Sequence, residues 1–166
     1  MITFSGSRGL RKLSHVLRSL VSRTLELENA RIGEIGVRLS GDSELRALNR
    51  RWRGIDRATD VLSFPYADFG VEHVVSGDVI ISMERALEQA RTHRVSVGRE
   101  LARLAIHGTL HLAGHDHHRA GERARMRRSE SRALRETKTS IRALDSAWAR
   151  GRLEARPPER GIRRSR

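Results

Sequence analysis

Residues 104–118 read LAIHGTLHLAGHDHH and contain five of the chain's eight histidines. Apolar residues surround His107 and His111 and favour a buried helix. Gly114 stands where such a helix should end, because glycine accepts the left-handed conformation of the C′ position. On this helix His107 and His111 are four residues apart, so the sequence predicts both imidazoles on one face, one turn apart.

Two histidines with this spacing can bind one metal ion. A chain that folds back after Gly114 can bring a third histidine to the same ion, and three histidines with an open fourth position are typical of catalytic zinc. Buried imidazoles without partners are costly, so the apolar surroundings favour a metal site. The alternatives are histidines that only pack, and a histidine-rich tract that sequesters metal.

The residue after His107 is Gly108, whereas zinc proteases with the H-E-x-x-H motif carry their general base at that position. A protease would therefore need another base, and the nearest carboxylate in sequence is Asp116. This side chain can act as an acid or base, or it can accept a hydrogen bond that orients a ligand histidine. The sequence leaves both roles open.

The composition narrows the class of protein. The 166 residues suffice for one domain, and 37% hydrophobic residues are compatible with a small core. No stretch of apolar residues approaches the ~18 that a membrane-spanning helix needs. A cytoplasmic location is expected. The chain has no cysteine, which excludes disulfides, cysteine-ligated zinc and iron–sulfur clusters. Any transition metal must therefore be bound through nitrogen and oxygen.

Positive charge is concentrated towards the C-terminus. The net charge of the chain is +13, and residues 119–166 contain 16 basic and 6 acidic residues. A basic segment of this kind favours a polyanion, most simply a nucleic acid. The alternative is a solvated helix face followed by a disordered end. We therefore expect a domain over residues 1–136 and a basic, partly disordered C-terminal extension over residues 137–166.

Hydrophobic periodicity predicts strands interleaved with helices, which indicates an α/β or α+β domain. The predicted strands cover residues 1–6, 32–40, 61–64 and 77–82. Four helices are predicted. The first covers residues 9–27, the second begins at a cap formed by Asp42 or Ser43, the third begins at a Ser82 cap, and the fourth runs from Ser96 to Ala113. Residues 66–76 are expected to form an exposed loop or hairpin connection.

Three blocks of sequence resemble the YbeY family of bacterial endoribonucleases. HGTLHLAGHDH at 107–117 is similar to the family signature, ALNRRWRGIDRATDVLSFP at 47–65 to a second family segment, and GDVIIS at 77–82 to a family strand. The blocks follow the family's order and cover residues 5–135. The resemblance implies an α+β fold, with a small mixed β-sheet packed with helices in a zincin-like, metal-dependent hydrolase architecture.

The resemblance also implies one zinc ion per chain, held by His107, His111 and His117. His115 occupies a position where the family has Tyr or His, and His118 lies just outside the motif. Neither is therefore a predicted ligand. Zinc is preferred over nickel or another divalent ion because of the histidine ligands and the family.

The family's functionally important arginine falls on Arg53, which makes Arg53 and His107 the predicted catalytic residues. Arg53 is also the predicted substrate-binding residue, because a guanidinium can bind a phosphate through two hydrogen bonds. The alternative for Arg53 is a salt bridge within its loop, to Asp56 or Asp60.

Four neighbouring residues are expected to shape this region. Thr59 and Asp60 should fix the turn from the loop into the strand, and Asn49 should shape the corner where the helix meets the loop. Trp52 can stack on a base, but packing in the core is the preferred interpretation.

For function, the resemblance implies single-strand-specific cleavage of ribosomal RNA, in maturation of the 16S rRNA 3′ end and in ribosome quality control. The expected partners are RNA, the small ribosomal subunit with its proteins, and an assembly GTPase, with no membrane partner. The alternatives are a metal-dependent hydrolase of another substrate, such as a protease, and a non-catalytic ribosome-assembly factor. The nucleophile is left open between zinc-bound water and the 2′-hydroxyl of the substrate.

Overall fold

A computed structural model of the chain describes residues 2–5, 11–66, 74–116 and 120–154. These residues form a four-stranded sheet and six helices, which confirms the predicted α+β class. The strands are β1 (Ile2–Ser5), β2 (Arg31–Ser40), β3 (Val61–Pro65) and β4 (Val74–Ser82). The helices are α1 (Arg11–Leu27), α2 (Asp42–Arg53), α3 (Met83–Thr92), α4 (Val97–Leu112), α5 (Ala120–Glu136) and α6 (Lys138–Glu154).

The sheet is mixed and has the strand order β1-β2-β4-β3. β1, β2 and β4 are parallel, whereas β3 pairs antiparallel with β4 and forms one edge of the sheet. Val37 lies opposite Val79, and Val79 in turn lies opposite Ser63. Part of the connection predicted at 66–76 is in fact strand, because β4 begins at Val74. Residues 67–73 lie outside the described part of the chain.

The burial of the strands follows from their place in the sheet. In β2 the side chains of Ile35, Val37 and Leu39 are buried in alternation, which confirms the predicted single buried face. In β4 consecutive residues are buried, because this central strand is covered on both faces. Val79 and Ile81 face the main core, whereas Ile80 faces a smaller cluster.

Helix α4 lies at the centre of the main core. It packs against α1, α3, α5, α6, β3 and β4, and eleven of its sixteen residues are buried. The smaller cluster covers the other face of the sheet, where Leu45 of α2 packs with Leu62 and Ile80. None of the helices in the described ranges is both long enough and apolar enough to cross a membrane.

Two of the three predicted helix caps are confirmed. Ser82 accepts a hydrogen bond from the Arg85 backbone N–H, and Ser96 accepts one from the Arg99 backbone N–H. The cap predicted for α2 is wrong, because Gly41 occupies the N-cap position without a side-chain hydrogen bond. Asp42 is the first residue of that helix, and its carboxylate accepts hydrogen bonds from the Ser82 hydroxyl and Arg85 Nε instead.

The predicted C-terminal extension begins with a helix. Residues 138–154 form α6, which packs against α1 and α4. Leu144 and Ala147 are buried in the main core, and the Asp145 carboxylate accepts a hydrogen bond of 2.7 Å from the Gly98 N–H at the start of α4. The apolar residues of α6 thus complete the core, so α6 is part of the packed domain. The end of the segment, residues 155–166, lies outside the described residues.

This packing predicts that α6 stabilises the domain. Leu144→Ala should lower the free energy of unfolding by about 2–5 kcal/mol, because it removes a fully buried side chain and leaves a cavity. Arg142→Ala, at an exposed position of the same helix, is the matched control and should change it by less than about 0.5 kcal/mol. Urea denaturation followed by circular dichroism measures both, and equal midpoints for the two variants would contradict the assignment of α6 to the core.

Candidate metal centre

The C-terminal end of α4 brings the first two predicted ligands together. His107 Nε2 and His111 Nε2 are 3.1 Å apart, and the two rings meet edge to face with centroids separated by 4.7 Å. Both side chains are half-buried at the wall of a cavity. The helical spacing predicted this arrangement, because residues i and i+4 lie one above the other on a helix.

The turn after the helix was also predicted. Gly114 has φ +84°, the left-handed conformation expected at the C′ position. Its N–H donates to the His111 carbonyl, and the His115 N–H donates to the Leu110 carbonyl. This pair of hydrogen bonds ends the helix and reverses the chain, so that His115 and Asp116 return to the same end of α4.

His107 has a carboxylate partner that the sequence analysis did not identify. Glu130 Oε1 on α5 lies 2.5 Å from His107 Nδ1, and its side chain is only 20% exposed. A carboxylate at Nδ1 favours the proton on that nitrogen, so that Nε2 carries the lone pair with which an imidazole binds a metal. The sequence could have indicated a specific role for Glu130, because it is the only acidic residue between positions 123 and 135 of an arginine-rich helix.

The separation of the two Nε2 atoms fits one metal ion bound by both histidines. Nitrogen ligands ~2.0–2.1 Å from a tetrahedral zinc ion are about 3.3 Å from each other, close to the 3.1 Å between His107 and His111. The predicted third ligand, His117, lies outside the described residues, as does His118. Among the residues that are described, no three histidines, aspartates or glutamates are grouped to bind one ion. The ligand set over His107, His111 and His117 therefore stays a prediction.

The two remaining candidates in the motif lie beside this pair. His115 Nε2 is 2.7 Å from Glu28 Oε2, so the chain after α1 provides its partner. Asp116 lines both the main cavity and a smaller cavity next to it, which Glu28 and Arg125 also line. This position is compatible with either predicted role of Asp116, and its part in the chemistry stays a prediction.

The main cavity has a volume of about 800 Å³ and combines residues from α2, β3 and α4 with the two loops that follow α2 and α4. Its lining consists of Arg53, Thr59, Asp60, Val61, Ser63, His107, His111, Gly114, His115 and Asp116. Three histidines, a guanidinium and two carboxylates thus share one open space. Residues of the sequence block at 47–65 and of the described part of the block at 107–117, residues 107–116, which are far apart in the chain, therefore form one site.

Arg53 does not form the loop salt bridge considered as its alternative role. Asp56 is bound by both Nε and Nη2 of Arg46, at 2.8 Å each, and Asp60 lies 3.7 Å from Arg103. Within the ranges that the structure describes, no carboxylate lies within 4 Å of the Arg53 guanidinium. The Arg53 side chain is exposed and lines the cavity, a position from which it can bind an anion.

Thr59 and Asp60 hold the turn into β3, as predicted. Asp60 Oδ1 accepts hydrogen bonds from the Thr59 hydroxyl and the Val61 N–H. Burial raises the pKa of the Asp60 carboxyl, but the hydrogen bond from Gln89 and the charge of Arg103 outweigh it, so the pKa is below its usual value. Asp60 is therefore a permanently charged anchor of this loop rather than a proton donor near neutral pH.

The corner between α2 and β3 agrees with one prediction and contradicts another. Asn49 is buried, and its Nδ2 donates a hydrogen bond of 2.8 Å to the Arg57 carbonyl, which holds the loop as predicted. The preferred interpretation of Trp52 as a core residue is wrong, because 63% of its side chain is exposed. Leu45 and Leu48 already fill the face of α2 that packs on the sheet.

Gly108 is the point at which α4 approaches the sheet. A Cβ atom at this position would lie 2.6 Å from Val79 Cγ1 and 3.1 Å from Ser63 Oγ. The Ser63 hydroxyl donates to the Gly108 carbonyl at 3.0 Å, which ties the helix to the edge strand. Any larger side chain would have to displace the side chains of Val79 and Ser63, which β4 and β3 present to the helix. This contact explains why the residue after His107 is glycine and leaves no room there for the glutamate of H-E-x-x-H proteases.

We expect Gly108→Ala to destabilise the chain by about 1–3 kcal/mol, because the added methyl group overpacks the interface between α4 and the sheet. Gly121→Ala in α5 is the matched control, since its Cβ would meet no atom within 4 Å, and should be neutral or slightly stabilising. Thermal unfolding of the two variants tests the contact. A Gly108→Ala protein as stable as the wild type would show that α4 tolerates a wider spacing from the sheet.

Comparisons with known proteins agree with this arrangement of residues. The family model "Endoribonuclease YbeY" matches residues 5–138. A protein of that name from Carboxydothermus hydrogenoformans is 43% identical over 122 residues, which cover 74% of this chain and 84% of the relative. One from Anaeromyxobacter sp. is 49% identical over 102 residues, 61% of this chain and 53% of the relative, so the chain matches only about half of that protein's length.

A solved structure supports the fold. The solution structure of a Thermotoga maritima protein superposes with a TM-score of 0.53 at 27% sequence identity, covering 96% of this chain and 99% of that one. A second Anaeromyxobacter relative, from A. dehalogenans, is named endoribonuclease YbeY and is 36% identical over 93% of this chain. On the family match and these identities, the chain belongs to the YbeY family of endoribonucleases.

Proposed function

We propose that this chain is a zinc-dependent, single-strand-specific endoribonuclease that acts on ribosomal RNA. The observation that carries the proposal is the 3.1 Å approach of His107 Nε2 to His111 Nε2 at the wall of a cavity that Arg53 also lines. Cleavage of a phosphodiester requires an activated nucleophile and stabilisation of the charge on the phosphate oxygens. The cavity combines groups suited to both tasks.

The proposed metal would be held by His107, His111 and His117. When bound, zinc supplies a Lewis acid that polarises a phosphate oxygen or lowers the pKa of water. Glu130 holds His107 in the tautomer that a metal ligand needs, with the proton on Nδ1. Arg53 binds the phosphate through two N–H groups and positions it in the cavity. Asp116 at the same wall is the proposed acid, base or orienting group.

The geometry favours this proposal over a protease. Gly108 lies so close to Val79 that a glutamate has no room beside His107. The general base of H-E-x-x-H proteases is therefore missing for a structural reason. A polyanionic substrate also suits the charge of the chain, which is +13 overall.

The role of the reaction in the cell is part of the proposal. We infer that the substrate is the 3′ end of the small-subunit 16S rRNA precursor, and that the chain acts in the cytoplasm in rRNA maturation and ribosome quality control. Small-subunit ribosomal proteins and an assembly GTPase are the proposed protein partners. Support comes from the family membership and from the basic C-terminal segment, whose charge favours RNA.

Cleavage of a labelled 16S rRNA 3′-end precursor tests this function. The wild type should cut the RNA and lose activity on chelation. His111→Ala should lose both zinc and activity, because a ligand is missing. Arg53→Ala should keep zinc but lose about 10²–10³-fold in rate, the usual effect of removing one group that stabilises transition-state charge. Zinc content is assayed on each protein.

Arg91→Ala, at an exposed position of α3 outside the basic C-terminal segment, is the control for loss of surface charge and should cleave like the wild type. Equal cleavage by all variants would indicate a contaminating ribonuclease. Cleavage that persists in zinc-free His111→Ala protein would refute the metal-dependent mechanism.

The role of Glu130 gives a separate prediction about metal affinity. Glu130→Ala should weaken zinc binding about 10- to 100-fold, because His107 loses the partner that fixes its tautomer. Glu130→Gln, which keeps an acceptor oxygen, should lose less. Zinc affinity is measured by competition with a chromophoric chelator. Glu136→Ala on the same helix, where Glu136 pairs with the exposed Arg23, is the control. Equal affinities for Glu130→Ala and Glu136→Ala would rule out the role.

A further inference from the structure

Trp52 is an exposed aromatic residue that the cleavage chemistry does not use. With 63% of its surface open to solvent, it is the most exposed large hydrophobic side chain in the described chain. A single exposed hydrophobic residue needs no functional explanation by itself. For Trp52, three further observations indicate a function. They are the contacts that hold the indole in place, its position beside the cavity and the charges around it.

Two contacts fix the orientation of the indole. The Phe64 ring, partly buried against the smaller core cluster, meets Trp52 edge to face at a centroid distance of 6.2 Å. The Arg51 guanidinium carbon lies 5.3 Å from the Trp52 ring centroid, a cation–π distance. The ring is thus supported from the protein side, while most of its surface stays open. A supported aromatic surface of this kind can stack on a planar ligand without ordering the side chain first.

The indole lies directly across the edge strand from the metal centre. Val61 and Ser63 of β3 line the cavity, whereas Leu62 and Phe64 point to the opposite face of the sheet. Trp52 contacts Phe64 on that opposite face, but its neighbour Arg53 lines the cavity. The Cα atoms of Trp52 and Arg53 are ~3.8 Å apart. A chain bound at Arg53 therefore reaches Trp52 by crossing the edge of β3.

The charges around Trp52 select an anionic ligand. The last turn of α2 carries Arg50, Arg51 and Arg53, and Arg57 in the following loop is also exposed. Asp56 in this loop is bound by two guanidinium nitrogens of Arg46 and lies 4.0 Å from Arg50 Nη1, whereas Asp60 is bound by Gln89 and lies 3.7 Å from Arg103. Aromatic rings next to arginines are the features with which proteins bind single-stranded nucleic acids, the rings stacking on bases and the arginines contacting phosphates.

We propose that Trp52 is a base-stacking subsite for single-stranded RNA, which holds an unpaired nucleotide next to the one whose phosphate Arg53 binds. Arg51, which lies beside the indole, neutralises the backbone of that nucleotide. Because a base in a duplex offers no open face, the subsite selects single strands. This inference rests on the proposed function and names the feature of the site that determines its substrate class.

The two tryptophans of the chain allow a direct test. Trp148 is partly buried against the main core. Trp148→Phe leaves Trp52 as the only tryptophan, and Trp52→Phe leaves Trp148, so excitation at the red edge of the tryptophan band, where tyrosine does not absorb, follows each indole separately. The probe is a single-stranded 2′-O-methyl uridine 8-mer, recovered intact after each titration. The 8-mer should quench most of the Trp52 emission and leave the Trp148 emission unchanged. Absence of quenching of Trp52 at saturation would overturn the proposal.

Affinity measurements test whether the contact is with a base. Trp52→Ala should raise the Kd for the 8-mer about 5- to 100-fold, the effect of losing one base–aromatic stack. Trp52→Phe should lose less, because a phenyl ring still stacks. An abasic 8-mer has the same phosphates but no bases, so the wild type and Trp52→Ala should bind it equally. The slope of log K against log salt should be the same for both proteins, because no phosphate contact is removed.

The outcomes separate this inference from the nuclease proposal. If the wild type cleaves RNA but Trp52→Ala binds the 8-mer as tightly, the subsite is wrong and the nuclease stands. If Trp52→Ala is weakened but the wild type does not cleave RNA, the subsite stands and the nuclease proposal fails. A wild type that does not bind the 8-mer overturns the subsite. Circular dichroism confirms that the variants are folded, which is expected for substitution of an exposed residue.

Discussion

Burial of α4 against the sheet is the constraint on which the rest of the structure depends. Leu101, Leu104, Ile106 and Leu110 are almost completely buried, and Gly108 lets the helix backbone come close to β3 and β4. A helix enclosed by four other helices and two strands has no freedom to rotate or slide. The two histidines in its last turns are therefore held in fixed positions, which a metal centre requires.

The polar groups at the end of α4 are organised around this rigid helix. His107 pairs with Glu130 from α5, and His115 pairs with Glu28 from the segment after α1. The C-terminus of a helix carries partial negative charge, so a cation is stabilised there. Carboxylates from neighbouring elements then orient these imidazoles. The loop after α2 adds Arg53, and the Arg46–Asp56 and Asn49–Arg57 contacts hold that loop in place.

Most of the fold could be predicted from local sequence, because its signals are local. The alternation of Ile35, Val37 and Leu39 and the stop at Gly114 are properties of neighbouring residues. The pairing of His107 with Glu130 depends on how α5 crosses α4, a tertiary relation that periodicity does not contain. The exposure of Trp52 was not predicted for a similar reason. Periodicity identifies the apolar face of a helix but not which residues of that face the sheet covers. The apolar pattern of α6 is weak, so this segment was predicted as an extension of the domain, although its Leu144 is fully buried.

The contact of α1 with α6 has a consequence for how the chain folds. These two helices are separated by everything from β2 to α5, yet both cover α4 in the same core. Contacts between distant segments slow folding, because a long loop must close before they can form. During synthesis, a chain that has emerged only as far as α5 still exposes the apolar surface that Leu144 and Ala147 later cover. The core is therefore complete only after α6 has left the ribosome, and until then its uncovered apolar surface is open to chaperones and proteases.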